Sequence, residues 1–334
     1  MNNKLTKLFD SFNGLNVLIV GDVMVDSYLW GKVERISPEA PVPIVSVSKR
    51  ENRMGGAANV ALNIKSLGAN PILCSVVGND TKGEEFIQLL EKKQMEKCGI
   101  VKSDKRITTT KFRVIGNNVQ MLRVDEETDR ELEEEDLKKL YDKFQEIIQT
   151  TKIDVVIFQD YDKGVITENL VDGIVKIANL KKIPIAVDPK KKNFMAYKNV
   201  SLFKPNLKEL KEGLNIDFDS KNKGELSAMA GQLKTLLNSQ IIMVTLSEDG
   251  VFVDYSDESQ QNSKLIPSHV RSISDVSGAG DTVISVASLC LARKTSPTLL
   301  ASISNLAGGL VCEEVGVVPI NKDRLLEEAK KLKP

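Results

Sequence analysis

The chain has 334 residues, 41% of them hydrophobic, which is enough to bury the core of one large domain or two modest ones. Its 46 basic and 46 acidic residues balance, so no overall field would draw it to nucleic acid or an anionic membrane, and we expect small-molecule partners. No segment approaches the roughly 20 apolar residues that span a bilayer, and the N-terminus lacks a signal-peptide pattern, which predicts a cytoplasmic protein.

Four segments in the first part of the chain are predicted as strands. They are residues 16–20, 38–48, 108–114 and 119–124. The first is a continuous β-branched apolar run that ends at Gly21-Asp22, as a buried strand does when it projects polar groups toward a cleft. The second carries three prolines and suits an edge strand, and the last two flank a Gly-Asn-Asn turn and predict a hairpin. The segments 38–48, 108–114 and 119–124 together predict a small β-sheet outside the main core.

The remainder of the chain alternates predicted strands with predicted helices. The strands are 71–77, 154–158, 183–187, 201–204, 241–246 and 251–255, and the helices are 83–93, 168–180, 207–212, 226–237, 279–291, 298–313 and 324–332. This alternation predicts an α/β fold with a doubly wound, mostly parallel sheet. The acidic run over 125–139 is interpreted as a solvated helix start, because carboxylates favour the positive end of a helix dipole.

The cysteines and the single histidine offer little metal or nucleophilic chemistry. Cys74, Cys98, Cys290 and Cys312 lie far apart in sequence and form no CxxC pair, which argues against a disulfide framework and a zinc site. We predict that they are buried thiols. His269 has no second histidine with which to build a metal cluster and no context for a Ser-His-Asp triad, so we interpret it as structural.

Residues 275–286, DVSGAGDTVISV, combine a Gly-Ala-Gly turn with the start of an apolar helix. The small residues Gly278, Ala279 and Gly280 let backbone N–H groups surround a phosphoryl group, and the helix dipole adds positive potential there. Asp281 follows in the first helical turn, where it could take a proton from an attacking hydroxyl. Taken alone, the segment would suit a plain helix start stabilised by Asp281 equally well.

A second glycine-rich segment, MGGAANVA over residues 54–61, also enters a predicted helix. Gly55 and Gly56 permit close backbone approach, and Asn59 lies one turn later, where its amide could bind a sugar hydroxyl. The alternative for these residues is tight helix packing.

Together these segments resemble the two signatures of the ribokinase or PfkB carbohydrate kinase family, in the order and at roughly the separation expected. The first is GGAANVA with a following GND at 78–80, and the second is DVSGAGDT. The resemblance covers essentially the whole chain. It implies one ribokinase-like kinase domain over 1–334, with a small β-lid built from about 27–50 and 106–125. It also implies ATP as donor, Mg²⁺, a sugar acceptor, Asp281 as the base and Gly278, Ala279 and Gly280 as the anion hole.

Shorter motifs resemble the family's nucleotide site. KPNLKE at 204–209 is similar to the NxxE element, and TLSEDG at 245–250 to the nucleotide turn. The implied ATP-site residues are Asn206, Glu209, Thr245, Ser247 and Gly250, of which Asn206 and Glu209 would organise Mg²⁺ mostly through water. Asp275, together with Val315-Gly316, resembles a region that binds a monovalent cation in some relatives. Without the other motifs, these segments would be an ordinary strand-to-helix junction and a polar turn.

The pattern near the N-terminus narrows the choice of sugar substrate. Residues 21–45, GDVMVDSYLWGKVERISPEAPVPIV, closely resemble the heptose-7-phosphate kinases, and Asp26 matches an aspartate that contacts sugar hydroxyls. This implies phosphorylation of the anomeric hydroxyl of D-glycero-D-manno-heptose 7-phosphate in ADP-heptose synthesis. The other substrate residues implied are Arg113, Asp160, Lys163 and Lys190, whose cationic members would meet the sugar or its 7-phosphate. Family resemblance and the exposed lid strands also predict a homodimer.

The chain departs from its bifunctional relatives in two respects. A single histidine cannot form an HxGH signature, so we expect no nucleotidyltransferase domain, and Gln159 stands where a small residue such as serine is expected. Another PfkB-type kinase, ribokinase-like or fructokinase-like, remains an alternative, as does a non-catalytic nucleotide-binding regulator. A nicotinamide dehydrogenase is disfavoured because residues 20–26 lack GxGxxG.

Overall fold

The structure is a computed structural model that describes residues 2–257, 260–269 and 273–332. Its helices are α1 (Asn2–Ser11), α2 (Ala57–Ser66), α3 (Thr81–Lys92), α4 (Glu134–Thr150), α5 (Glu168–Leu180), α6 (Leu207–Leu214), α7 (Lys223–Leu237), α8 (Ala279–Ala292), α9 (Pro297–Val311) and α10 (Lys322–Ala329). Its strands are β1 (Asn16–Gly21), β2 (Val23–Ile36), β3 (Pro43–Gly56), β4 (Asn70–Gly78), β5 (Ile100–Ser103), β6 (Thr110–Gly116), β7 (Val119–Glu126), β8 (Val155–Gln159), β9 (Ile185–Asp188), β10 (Leu202–Phe203), β11 (Ile241–Thr245), β12 (Val251–Asp257) and β13 (Gln260–Ile266). A short 3₁₀ turn covers Ser247–Asp249.

The large sheet has nine strands in the order β13-β12-β11-β10-β9-β8-β1-β4-β5. Seven neighbouring strands pair in parallel, namely β5, β4, β1, β8, β9, β10 and β11. At the other edge β12 pairs antiparallel with β11, and β13 pairs antiparallel with β12. The chain winds outward from β1 in both directions, so the strand order reverses between β1 and β8. Ligands in open α/β sheets bind at such a reversal, beyond the carboxyl ends of the strands. The predicted mostly parallel, doubly wound sheet is therefore confirmed.

Helices cover both faces of this sheet, each over its own apolar core. One core packs α1, α2, α3, α8, α9 and α10 against the sheet, and the other packs α4, α5, α6 and α7. The side chains of the parallel strands are buried on both faces, as the continuous apolar runs in the sequence predict. Every residue of α8 from 281 to 290 is buried, which places the start of this helix in the middle of the protein.

The small sheet has the order β3-β2-β6-β7. Its strands span 23–56 and 110–126, whereas the sequence suggested about 27–50 and 106–125, because β2 begins directly after the end of β1 and β3 runs into α2. The hairpin turns at Asn117 and Asn118, whose φ angles of 51° and 64° suit the two-residue turn that joins twisted strands. β3 is an edge strand as predicted, and all eight residues of β7 are exposed.

Several features differ from the sequence prediction. Helix α1 and strands β2, β5 and β13 were not among the predicted elements, although much of β2 lies within the predicted lid. The prediction of buried thiols is right for Cys74 and Cys290 but wrong for Cys98, which is exposed on the surface, and Cys312 is half-buried. Among the described residues there is no cluster of three or more metal-ligating side chains and no helix long and apolar enough to cross a membrane.

Candidate active site

Four polar side chains lie where neighbouring parallel strands end. Asp22 follows β1, Gln159 ends β8, Asp188 ends β9 and Lys204 follows β10, and all four are buried. Gly21 allows β1 and β8 to approach here, because a Cβ on it would lie 2.0 Å from the carbonyl oxygen of Gln159. The carboxyl edge of the sheet thus carries a buried polar layer at the point where the strand order reverses.

Asp281, in the first turn of α8, points into this polar layer. Its Oδ2 accepts a hydrogen bond from Asn59 Nδ2 at 2.6 Å. Its Oδ1 accepts one from the Tyr161 hydroxyl at 2.7 Å and one from Gln159 Nε2 at 3.2 Å. Asp281 is only 7% exposed. Three parts of the chain therefore meet at one buried acid: α8, which carries it, α2, and the segment that follows β8.

Burial raises the pKa of Asp281 to about 6, against hydrogen bonds from Asn59 and Tyr161 that lower it. Asp188 raises it further, and Lys204 lowers it. The carboxyl is therefore ionised at neutral pH, yet it is a stronger proton acceptor than an exposed aspartate. Such a pKa suits a general base near pH 7. Burial also raises the pKa of the Tyr161 hydroxyl well above its usual value, so this hydroxyl remains a donor.

The predicted anion hole lies beside this carboxylate. Gly278 caps α8 with φ 79°, and a Cβ there would be 3.0 Å from Asn59 Nδ2. A Cβ on Gly280 would be 3.9 Å from both Asp188 Oδ2 and Lys204 Nζ. The Ala279 N–H donates to the Val276 carbonyl oxygen at 3.3 Å. The start of α8 nevertheless lies next to the buried Lys204, and the helix dipole together with this lysine favours an anion.

Residues of the small sheet border the Asp281 region on one side. Asp26 on β2 forms an ion pair with Arg113 on β6. Gly55 lies close against this pair, because a Cβ there would be 2.4 Å from Asp26 Oδ2 and would force the carboxylate to shift. Gly56 has φ 61° and lies against the carbonyl oxygen of Asp22, so it sets the start of α2 and hence the position of its first turn.

Two buried aspartates shape the loop after β8. The Asp22 carboxylate accepts hydrogen bonds from three backbone N–H groups of the 161–165 loop, at 2.9, 3.2 and 3.0 Å. Asp160, predicted to touch substrate, is 1% exposed and accepts hydrogen bonds from Tyr197 (2.6 Å) and Asn193 (3.3 Å). Burial, with Asp22 nearby, raises the pKa of Asp160 to about 6. Asp160 therefore anchors the start of this loop to Tyr197 and Asn193, which lie in the segment after β9.

The three cations predicted to meet the sugar or its phosphate each contact a carboxylate. The pairs are Arg113 with Asp26, Lys163 with Glu127 at 2.7 Å, and Lys190 with Glu209. All three side chains are partly exposed. A phosphate would thus have to replace, or be added to, an existing partner at each of them.

The predicted metal-organising residues form the start of α6. Asn206 Oδ1 accepts from the Glu209 N–H and Glu209 Oε2 accepts from the Asn206 N–H, both at 2.8 Å, which is a complete capping box. Glu209 Oε1 contacts Lys190, and Thr245 forms a β-bridge with Asn206. The structure therefore brings Lys190 to the predicted metal side of the site.

The remaining predicted nucleotide residues lie on turns. Ser247 and Gly250 have φ angles of 53° and 96°, and a Cβ on Gly250 would be 2.1 Å from a backbone carbonyl oxygen. Asp275 accepts from the N–H groups of Ser277 at 2.9 Å and Gly316 at 3.0 Å. The two segments proposed from the sequence to share a monovalent cation are thus adjacent. Cation binding itself stays a prediction.

Sequence reasoning did not assign roles to Tyr161, Asp188 and Lys204, or to Gln159 beyond its departure from the expected serine. A usable signal existed, since each follows or ends a buried apolar run, where a parallel strand delivers side chains to the active edge. A cavity of about 950 Å³ lies at the opposite edge of the sheet. It is lined by the ends of α4, α5 and α8, with lysines such as Lys181 and Lys294 that complement helix carbonyl ends, and we assign it no chemistry.

Comparison with known proteins gives a consistent result. The model of the pfkB family carbohydrate kinases matches residues 15–324. The chain is 36% identical over 93% of its length to the bifunctional protein HldE of Aliarcobacter butzleri and 39% identical over 90% to that of Helicobacter pylori. It spans 64% and 63% of the length of these relatives.

Solved structures agree at the level of the fold. Phosphofructokinase-2 from Escherichia coli in complex with fructose-6-phosphate aligns with a TM-score of 0.76 at 18% identity, covering 96% of this chain and 100% of the other. Ribokinase from Arabidopsis thaliana complexed with ribose and ATP aligns with a TM-score of 0.69 at 14% identity and the same coverage.

Proposed function

The chain belongs to the pfkB family of carbohydrate kinases, and from this premise we propose that it phosphorylates D-glycero-D-manno-heptose 7-phosphate. ATP is the donor, the anomeric hydroxyl is the acceptor, and the product is the 1,7-bisphosphate.

The observation that carries the proposal is the position of Asp281. It is a buried carboxylate with a pKa of about 6, in the first turn of a helix whose start is a glycine-rich anion hole. A base and an anion site at one helix start are what transfer of a phosphoryl group to a hydroxyl requires. A helix cap alone would need neither the burial nor three side-chain donors from two other segments.

The proposed reaction follows from this arrangement. The anomeric hydroxyl gives its proton to Asp281 while its oxygen forms a bond to the γ-phosphorus of ATP. The bond from the γ-phosphorus to the β,γ-bridging oxygen breaks, and ADP leaves. Backbone N–H groups of Gly278 to Gly280, with Lys204 beside them, stabilise the negative charge on the transferring group. The hydrogen bonds from Asn59 and Tyr161 fix the carboxylate before the substrate binds.

Magnesium fits the site as an ion that keeps its waters. The side-chain oxygens of Asn206 and Glu209 that form the capping box are already engaged, and no cluster of three or more ligating side chains occurs in the described ranges. Mg²⁺ commonly takes few protein ligands besides substrate phosphates and water. We therefore propose that Asn206 and Glu209 hold it through water, where it supplies charge neutralisation to the ATP phosphates.

Support for the heptose phosphate comes from the small sheet. The residues of the 21–45 segment that resembles heptose-7-phosphate kinases form β2 and the connection to β3, and they include Asp26 beside the site. We propose that Asp26 accepts sugar hydroxyls and that Arg113 and Lys163 bind the 7-phosphate. Because Lys190 contacts Glu209, we now propose it for the ATP phosphates, and because Asp160 is enclosed, we propose that it shapes the loop.

We also propose a homodimer that pairs through the small sheet. The strand residues Val47, Val119, Leu122 and Val124 are exposed apolar side chains on its two edge strands. A second copy would cover them and the unpaired strand edges. A tetrameric form is known for phosphofructokinase-2 from Escherichia coli, which shares the fold.

Product analysis tests the substrate. The protein is incubated with ATP, Mg²⁺ and heptose 7-phosphate, and ³¹P and ¹³C NMR locate the new phosphate. We expect a second phosphate on the anomeric carbon and stoichiometric ADP. Ribose, fructose and fructose 6-phosphate are run in parallel, and a marked preference for one of them would replace heptose with that sugar. Absence of turnover with every sugar would favour a nucleotide-binding regulator.

A further inference from the structure

Gln159 joins the two buried carboxylates of the site. Its Nε2 lies 3.2 Å from Asp281 Oδ1 and 3.2 Å from Asp188 Oδ2. A primary amide nitrogen has two hydrogens, so it can donate one to each carboxylate. The Gln159 side chain is 2% exposed, and its backbone is fixed by the register of β8 against β1 and β9.

The orientation of this amide is determined by its surroundings. Turning it over would place the carbonyl oxygen against two carboxylates, which would repel it. In the observed orientation Gln159 Oε1 is buried and has no hydrogen-bond partner among the described residues. A buried acceptor without a partner is unfavourable for folding. The observed orientation keeps the donor side of the amide toward both carboxylates.

We propose that Gln159 is a positioning residue that holds Asp281 and Asp188 apart, with one N–H donated to each, so that Asp281 stays ionised with one orientation. The groups that face this pair come from several elements, and they include Lys190, which follows β9 and interacts electrostatically with Asp188. Lys204 contacts Asp188 Oδ1 at 2.9 Å from the β10 side, and Tyr161 donates to Asp281 from the loop after β8. From α2, Asn59 donates to the other oxygen of Asp281.

Loss of the amide has a definite electrostatic consequence. Asp281 and Asp188 would lose a shared donor, and each would feel the other's negative charge more strongly. Both changes disfavour the ionised form of Asp281. The base would then be protonated over a larger part of the neutral pH range, while the sugar contacts on the small sheet would be unaltered.

Two nearly isosteric variants, Gln159→Met and Gln159→Glu, test this role. Methionine removes both donors, and glutamate adds a third carboxylate. The ¹³C NMR titration of the Asp281 carboxyl, assigned with Asp281→Asn, should give midpoints that rise in the order wild type, Met, Glu, with about one pH unit between wild type and Met. The acid limb of the kcat profile should shift in parallel, with the sugar KM within about twofold.

Gln261→Met is the matched control, since Gln261 donates to the buried Asp254 at 3.1 Å on the far edge of the sheet. It should leave the Asp281 midpoint and kcat unchanged. An unshifted Asp281 midpoint in folded Gln159→Met protein would overturn the proposal. The kinetic arm rests on the proposed kinase function, whereas the NMR arm does not, so wild-type protein without turnover would reject the kinase while leaving this inference measurable.

Discussion

The centre around Asp281 and the cations that border it are built differently. Asp281, Asn59 and Gln159 are buried, and their positions are fixed by a helix start and a strand end. Arg113 and Lys163 are long, partly exposed side chains, each paired with a carboxylate that a ligand could replace. The first group is preorganised for a chemical step, and the second must exchange partners on binding. Changes to the first group should therefore lower kcat, and changes to the second should raise KM.

Asp281→Asn is the strongest test of the first half of this contrast. The amide cannot take the proton of the sugar hydroxyl, so kcat should fall by about 10³-fold or more. ATP and sugar binding should persist, because the anion hole and small sheet are untouched. Measurement of ADP release and of both dissociation constants by calorimetry checks this, and near-normal turnover would contradict the assignment of the base.

Thermal unfolding controls for the fold of this variant. Asn59 Oδ1 has no hydrogen-bond partner in the part of the chain that the structure describes, so the amide can turn and accept from the amide nitrogen introduced by the substitution. Tyr161 and Gln159 can still donate to the oxygen that remains. Burial raises the pKa of Asp281 in the folded protein to about 6, from an ordinary value of 3.8. Ionisation of this carboxyl therefore lowers the free energy of unfolding as the pH rises from 3.8 through 6. We expect Asp281→Asn to match or exceed wild-type stability at pH 8 and to lose any advantage below about pH 4.

The same contrast explains what the sequence could predict. Asp281, Gly278 and Asn59 belong to compact glycine-rich motifs, in which local backbone requirements leave a readable pattern. The alternation of strands and helices was equally clear in the sequence, and the mostly parallel sheet that it predicts is confirmed. The residues at the strand ends around Asp281 gave a weaker signal, because Gln159, Asp188 and Lys204 become neighbours only when β8, β9 and β10 align side by side.

The direction in which a side chain points was hard to predict for another reason. Lys190 follows a strand end, as a substrate residue could, but its ammonium reaches Glu209 on α6. Asp160 lies in a motif that resembles substrate-binding segments, yet its carboxylate turns toward Tyr197. Where a flexible side chain ends depends on partners far along the chain, and composition and spacing carry no information about them.

Glu209→Gln should lower activity by an intermediate amount. Glu209 lies between the buried centre around Asp281 and the partly exposed cations. The amide oxygen can still accept from the Asn206 N–H, so the capping box and fold persist, but the negative charge is lost. The Mg²⁺ concentration for half-maximal rate should rise roughly 10-fold, as is typical for residues that act on a metal through water. Glu212→Gln, which loses an ion pair with Lys208 on the same helix, should leave the Mg²⁺ dependence unchanged.

Lys163→Met should give the smallest effect and the most specific one. Lys163 is partly exposed and already pairs with Glu127, so its proposed contact with the phosphate is a single solvated charge pair worth at most about 1 kcal/mol. We therefore expect KM for heptose 7-phosphate to rise at most roughly fivefold with kcat unchanged. Unphosphorylated heptose should show no such change, because the lost charge would have met the phosphate. Lys138→Met, which removes an exposed pair with Asp142, is the control. An equal rise in KM for both sugars would instead indicate that Lys163 stabilises its loop. Lys163 would then belong to the preorganised region.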